Sequence, residues 1–158
     1  MENKRHVIDY CEYASLEEMP ERERTVMLEA MAATERAYAP YSHFHVGAAV
    51  MLEDGTVVPG CNQENIAYPS GLCAERTALF AAGAAHPDKA VMALAVVGRD
   101  AEGRLAEASP CGACRQVMAE TELRSGQKMT VLCYLGGGQI RRIEGVENLL
   151  PFGFEAEV

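Results

Sequence analysis

The amino-acid sequence predicts an α/β fold of three layers, in which a mixed five-stranded sheet carries helices on both faces. Three observations lead there. Periodicity and turn chemistry place the elements in the order α, β, β, α, β, α, β, β, α, which suits one sheet covered on two sides. Val91–Val97 and Met129–Leu135 are nearly continuous apolar runs, as central strands buried on both faces require. The chain has 158 residues, 49% of them apolar and 23% charged, enough for one core and too few for two.

Residues 1–19 mix charges with isolated apolar side chains and read as an amino-terminal extension; residues 20–158 read as a single domain. From Pro20, Val26, Met27, Met31, Ala32 and Ala33 recur mostly at helical spacing until the Pro40 turn. Phe44–Leu52 and Thr56–Cys61 are rich in β-branched or aromatic residues, and Glu53, Asp54 and Gly55 between them have hairpin-turn chemistry. An Ala-rich helix is expected from Cys73 to Ala85, closed by Pro87. Ser109 is the expected cap of a third helix, with Pro110 in its first position and its body running from Cys111 to Leu123. Gln139–Ile143 is expected as an edge strand and Val146–Leu150 as a short helix.

The formal net charge of −9 would repel an extended phosphate backbone, so nucleic acid is not an expected partner. Ala78–Ala85 and Ala90–Val97, the longest apolar runs, fall far short of the ~20 residues of a membrane span. The first residues lack the apolar stretch of a secretory signal, and the expectation is a cytoplasmic protein. In that compartment the six cysteines, at 11, 61, 73, 111, 114 and 133, are thiols or metal ligands rather than disulfides.

Cys111 and Cys114 are three apart, so on a helix both can reach one ion. A redox dithiol has the same spacing. Cys73 adds a third thiol at another expected helix start, where the partial positive charge favours thiolates. Three thiolates leave one position of a tetrahedral zinc open for chemistry. Cys133 and Cys61 read as core cysteines, and nothing ties Cys11 to the site. Glu75 is either a favourable first-turn carboxylate or a proton carrier. Cys73 and Glu75 point ~200° apart on an ideal helix, so both serve one ion only if it lies beyond the helix end.

The stretches CAER (Cys73–Arg76) and PCGACRQV (Pro110–Val117) resemble the zinc-dependent cytidine deaminases of the free-nucleoside type, in their three-cysteine, homotetrameric form. The resemblance extends through YAPYSHFHVGAAV (Tyr38–Val50), GCNQENIAYPSG (Gly60–Gly71) and ENLLPF (Glu147–Phe152). It implies a three-layer cytidine deaminase-like catalytic domain over residues 20–158. It further implies one Zn²⁺ per subunit on Cys73, Cys111 and Cys114, with a catalytic water or hydroxide as fourth ligand and Glu75 as proton shuttle.

By the same resemblance, Asn62 and Glu64 bind ribose, Phe44 and Val46 line the pyrimidine pocket, the Ala74 backbone contacts the base, and Tyr68, beside Ala67, forms a pocket wall. Phe154, with Phe152 as fallback, is the aromatic that reaches a neighbour's site, so the expected assembly is a homotetramer with shared active sites. Three thiolates and one Zn²⁺ sum to −1, and a guanidinium on thiolate sulfur would restore acidity to the bound water, the role expected of Arg76. The implied reaction is hydrolysis of cytidine and/or deoxycytidine to the uridine, with ammonia released, as in pyrimidine salvage. The chain departs from the pattern in its longer amino-terminal segment, in stopping soon after LLPFGF, and in Ile66, where a small residue is common. Two other readings compete: a blasticidin S-type aminonucleoside deaminase, and a non-catalytic binding module stapled by zinc.

Overall fold

Pro20 opens the first helix, α1 (Glu21–Ala33), with Glu21 and Glu23 in the first turn facing the positive end of its dipole. Its buried residues Val26, Met27, Ala30 and Ala33 form one stripe, and a short 3₁₀ turn, Thr34–Arg36, follows. The structure is a computed structural model and describes residues 1–154.

Among the described residues, seven strands form one sheet: β1 (Tyr10–Tyr13), β2 (His45–Leu52), β3 (Val57–Cys61), β4 (Val91–Arg99), β5 (Leu105–Ala106), β6 (Thr130–Gly136) and β7 (Gln139–Glu144). Their order is β1-β7-β6-β4-β2-β3, with β5 beside the end of β4. β4 and β6 are parallel and all other pairs antiparallel, which makes the sheet mixed. The β4-to-β6 crossover is made by α3 (Gly112–Ser125), and α2 (Ala74–Ala85) follows β3. Alternation along the strands supplies two cores. Ala48, Val50, Leu94, Val96, Val131 and Cys133 pack with α2 and α3, while Ala49, Met51, Ala95, Val97 and Leu132 pack with α1.

Two glycines bring helices onto the sheet. A Cβ on Gly47 would lie 2.0 Å from the Ala30 carbonyl of α1, and one on Gly60 would lie 2.4 Å from the Ala78 nitrogen of α2. Both sites exclude any side chain because the opposing atoms are backbone.

The three-layer expectation holds, with four differences of detail. Seven strands replace five, since β1 and β5 are too short and too exposed for alternation to show. β1 pairs along β7, so Gln139–Ile143 is interior and not an edge strand. Val146–Leu150 contracts to a 3₁₀ turn, Val146–Asn148. Ser109 does not cap α3; the cap is Cys111, with extended φ −70° and ψ 168°, and Pro110 stands outside the helix. Among the described residues no helix is long and apolar enough to cross a membrane.

Candidate active site

Cys73 caps the amino end of α2 and Cys111 that of α3, both with extended backbone, and Cys114 follows in the first turn of α3. Packing of α2 and α3 on one face of the sheet brings these ends together. The Cys73 and Cys111 sulfurs are 3.8 Å apart, those of Cys111 and Cys114 3.5 Å, and all three lie within 4.8 Å of one another. A tetrahedral zinc with Zn–S near 2.3 Å needs sulfurs about 3.8 Å apart, and thiolates are soft donors suited to it. The trio therefore fits a zinc ion. No other group of three or more histidine, cysteine or acidic side chains converges in this way among the described residues.

Charge within the trio is uneven. Cys73 is pulled down to about 5, first by its hydrogen bond with Cys114 and then by Arg76 and Cys111. Cys114 is pushed up, because it shares that hydrogen bond with Cys73 and is buried. The Arg76 guanidinium donates from Nη2 to the Cys73 sulfur at 3.7 Å, while its buried Nε has no partner. Glu75 is 4% exposed, and burial pushes its carboxyl up to about 7, with the nearby Cys73 adding to the rise. Its carboxylate is not in the converging sulfur group, so it borders the trio without joining it.

Above the trio opens a cavity of about 730 Å³, and Phe44, Val46, Asn62, Glu64, Tyr68, Cys73, Ala74, Glu75, Arg76 and Cys111 all line it. Of the expected site residues only Cys114, buried beneath, and Phe154 are absent from the lining. Phe154 is exposed, and its carbonyl accepts a hydrogen bond from the Gln116 amide at 2.7 Å. Phe152 is also exposed, and so is Ile66, which lies outside the cavity lining. Cys11 is exposed, Cys61 half-buried and Cys133 buried, and none of them joins the trio.

The polar pair is more engaged than sequence reasoning expects. The Asn62 Oδ1 accepts the Val46 N–H at 2.8 Å, and its Nδ2 donates to the Phe44 carbonyl at 3.0 Å. The Glu64 carboxylate accepts the Tyr41 N–H at 2.9 Å, the Ser42 N–H at 3.2 Å and the Ser42 hydroxyl, which together hold it below the usual carboxylate range, the hydroxyl most strongly. Tyr41, Ser42, Val96, Glu107 and Ser109 complete much of the wall. Sequence reasoning missed them as site residues. Only the family-like run around Tyr41 and Ser42 and the short reach from Ser109 to Cys111 carried any signal.

Fold and site together define a class, an α/β/α protein with a three-cysteine site that fits zinc at the floor of a cavity. Comparisons with known proteins narrow it. The sequence model of the cytidine and deoxycytidylate deaminase zinc-binding region matches residues 20–129. A cytidine deaminase of Sporosarcina psychrophila is 54% identical over 132 residues, covering 84% of this chain and 90% of that one. The crystal structure of a cytidine deaminase from Burkholderia pseudomallei superposes with a TM-score of 0.72 at 43% identity, covering 86% of this chain and all (100%) of that one. One from Mycobacterium tuberculosis gives 0.65 at 34% identity, covering 84% and 96%. The chain belongs to the cytidine deaminase family, whose members are hydrolases.

Proposed function

We propose that the protein hydrolyses the exocyclic C–N bond of cytidine and/or deoxycytidine, giving uridine and/or deoxyuridine and ammonia for pyrimidine salvage. One observation carries the reading: Glu75, a carboxylate only 4% exposed, stands on the cavity wall beside three converging cysteines. Cys73, Cys111 and Cys114 would hold one zinc per subunit. Zinc bound there, with a water in its fourth position, supplies a nucleophile acidic enough to ionise near neutral pH.

Glu75 then does the proton work. Its buried carboxyl takes one proton from the attacking water and gives it to N3 of the base, then takes the second from the new C4 hydroxyl and gives it to the departing amine. Phe44 and Val46 offer an apolar wall to the pyrimidine, and Tyr68 closes another side. The Ala74 backbone contacts the base. Asn62 keeps one Nδ2 hydrogen, and Glu64 keeps acceptor capacity, for sugar hydroxyls. Arg76 withdraws charge from Cys73. Residues 20–158 act as the catalytic domain and residues 1–19 as its extension, in a cytoplasmic homotetramer where Phe154 reaches a neighbouring subunit's site.

The test is incubation of purified, metal-analysed protein with cytidine, deoxycytidine and blasticidin S, following ultraviolet absorbance and ammonia. Deamination of the first two by zinc-loaded protein is expected. Preference for blasticidin S would move the assignment to aminonucleosides, and no ammonia from any of the three would leave only a zinc-stapled binding module.

A further inference from the structure

Gly98 is buried in β4, opposite Val46 of β2 on one side and Ala106 of β5 on the other. It lies two residues beyond Val96, so both face the cavity side of the sheet. Its φ is not positive, and the backbone there would accept any residue. Space would not. A Cβ at this position would lie 2.4 Å from Cζ and 3.0 Å from Cε1 of Phe44, and 3.2 Å from the Ala106 carbonyl oxygen. The absent side chain is therefore the seat on which the Phe44 ring rests.

The ring has few ways to yield. The Phe44 carbonyl is held by the Asn62 amide at 3.0 Å, its N–H by the Ser42 hydroxyl at 3.1 Å, and the neighbouring Val46 N–H by Asn62 at 2.8 Å. Ser42 is itself tied to Glu64. With the backbone fixed on three hydrogen bonds, a crowded ring relieves the contact by turning about its own side-chain bonds. The sheet closes one direction and the cavity lies in the other. Ordinary contact starts at 3.4 Å, so a methyl group at 98 drives the ring tip toward the cavity by about 1 Å.

We infer that Gly98 is a specificity-determining positioning residue: side-chain bulk at 98 sets how far Phe44 intrudes, and so how large a pyrimidine ring the cavity admits. Glycine gives the wide setting. The inference rests on reading this cavity as the pyrimidine pocket, and it concerns the fit of ring substituents, not the chemistry at Glu75.

The experiment compares zinc-loaded enzyme with Gly98→Ala, Phe44→Leu and the Gly98→Ala/Phe44→Leu double variant, using cytidine and the bulkier 5-methylcytidine. Where 5-methylcytidine turns over slowly, its inhibition constant against cytidine replaces KM. Gly98→Ala should lower the preference for 5-methylcytidine relative to cytidine by about tenfold, carried by KM with kcat for cytidine nearly kept, as a methyl-sized change in an apolar pocket allows. The double variant should recover the selectivity of Phe44→Leu alone, because the shorter side chain no longer meets the new methyl.

A Gly98→Ala enzyme, folded and zinc-loaded, whose selectivity stays within about twofold of the parent overturns the inference, as do effects of the two substitutions that simply multiply. If Gly98→Ala does not fold, the double variant decides. A folded double variant identifies the ring as what the glycine accommodates; an unfolded one assigns the glycine to the Ala106 carbonyl and overturns the inference. Failure of the parent enzyme to deaminate cytidine overturns the reading of the site and this inference with it, whereas an active parent with unmoved selectivity overturns this inference alone.

Discussion

Replacing Glu75 with glutamine separates what this carboxylate does for the reaction from what it does to the fold, because the two effects have opposite signs. The amide would keep the size of a side chain that is 4% exposed, so packing changes little. Proton transfer is lost, and the expected fall in turnover is about 10²- to 10⁴-fold, equivalent to about 2.7 to 5.4 kcal/mol. Stability moves the other way. Burial raises the Glu75 carboxyl from 4.5 to about 7, so ionisation is harder in the folded chain than in the unfolded one. The stability this group allows is fully present below 4.5 and is lost as the pH rises through about 7, a loss of about 3 kcal/mol above that value. Glutamine cannot ionise and does not incur that loss. Urea unfolding of chelator-treated protein at pH 4.5 and pH 8 should show nearly equal stabilities at the lower pH and a Glu75→Gln variant more stable by up to about 3 kcal/mol at the higher. Near-normal turnover in the zinc-loaded variant would refute the proton-carrier role, and parallel pH dependences would refute the burial argument.

Three further perturbations address the supports of the site. Arg76→Gln removes the guanidinium that donates to the Cys73 sulfur at 3.7 Å and should cost about 10- to 100-fold in zinc affinity or turnover, read by competitive chelation and initial rates. Gly60→Ala places a Cβ 2.4 Å from the Ala78 nitrogen and 2.6 Å from the Ala74 carbonyl, backbone that cannot swing aside, so a loss of about 3 kcal/mol is expected. Because α2 carries Cys73 and Glu75, zinc content should fall with Tm, and retention of both would show that the helix yields freely. Tyr13→Phe deletes the 3.0 Å hydrogen bond from the Tyr13 hydroxyl to Glu23, which ties β1 to α1, and should cost about 1 kcal/mol in urea unfolding while leaving kcat/KM for cytidine unchanged.

The central strands were legible because burial on both faces writes an apolar run into the chain, as in Val91–Val97. The strand at Tyr10–Tyr13 was not, since its first three residues are exposed and what holds it, backbone pairing along β7, the Arg141–Glu12 ion pair and the Tyr13 hydroxyl on Glu23, depends on residues far away in the chain or on another element. Helix starts were legible to within a residue or two, yet the capping residue of α3 was misassigned. Ser109 is the better cap by side-chain chemistry, but Cys111 occupies the cap position, where an extended backbone aims its sulfur across to Cys73. The cap position falls to the residue whose sulfur converges with Cys73 and not to the better capping side chain.

A similar asymmetry runs through the site. Cys111 and Cys114 could be paired by counting, because helical geometry alone relates them. Cys73 lies 38 residues away from Cys111, and apart from the family resemblance only the coincidence of two helix starts hints that they meet. Asn62 and Glu64 stand out only through the family resemblance, and their partners at Phe44, Val46, Tyr41 and Ser42 are 16 to 23 residues distant. Those bonds change what the pair does. On the proposed reading, the groups that bind the sugar also hold the loop that presents Phe44, so recognition of the sugar and placement of the base would share one set of hydrogen bonds. A substitution at Asn62 cannot weaken the first without disturbing the second, and its effect on KM must be read as the sum of both.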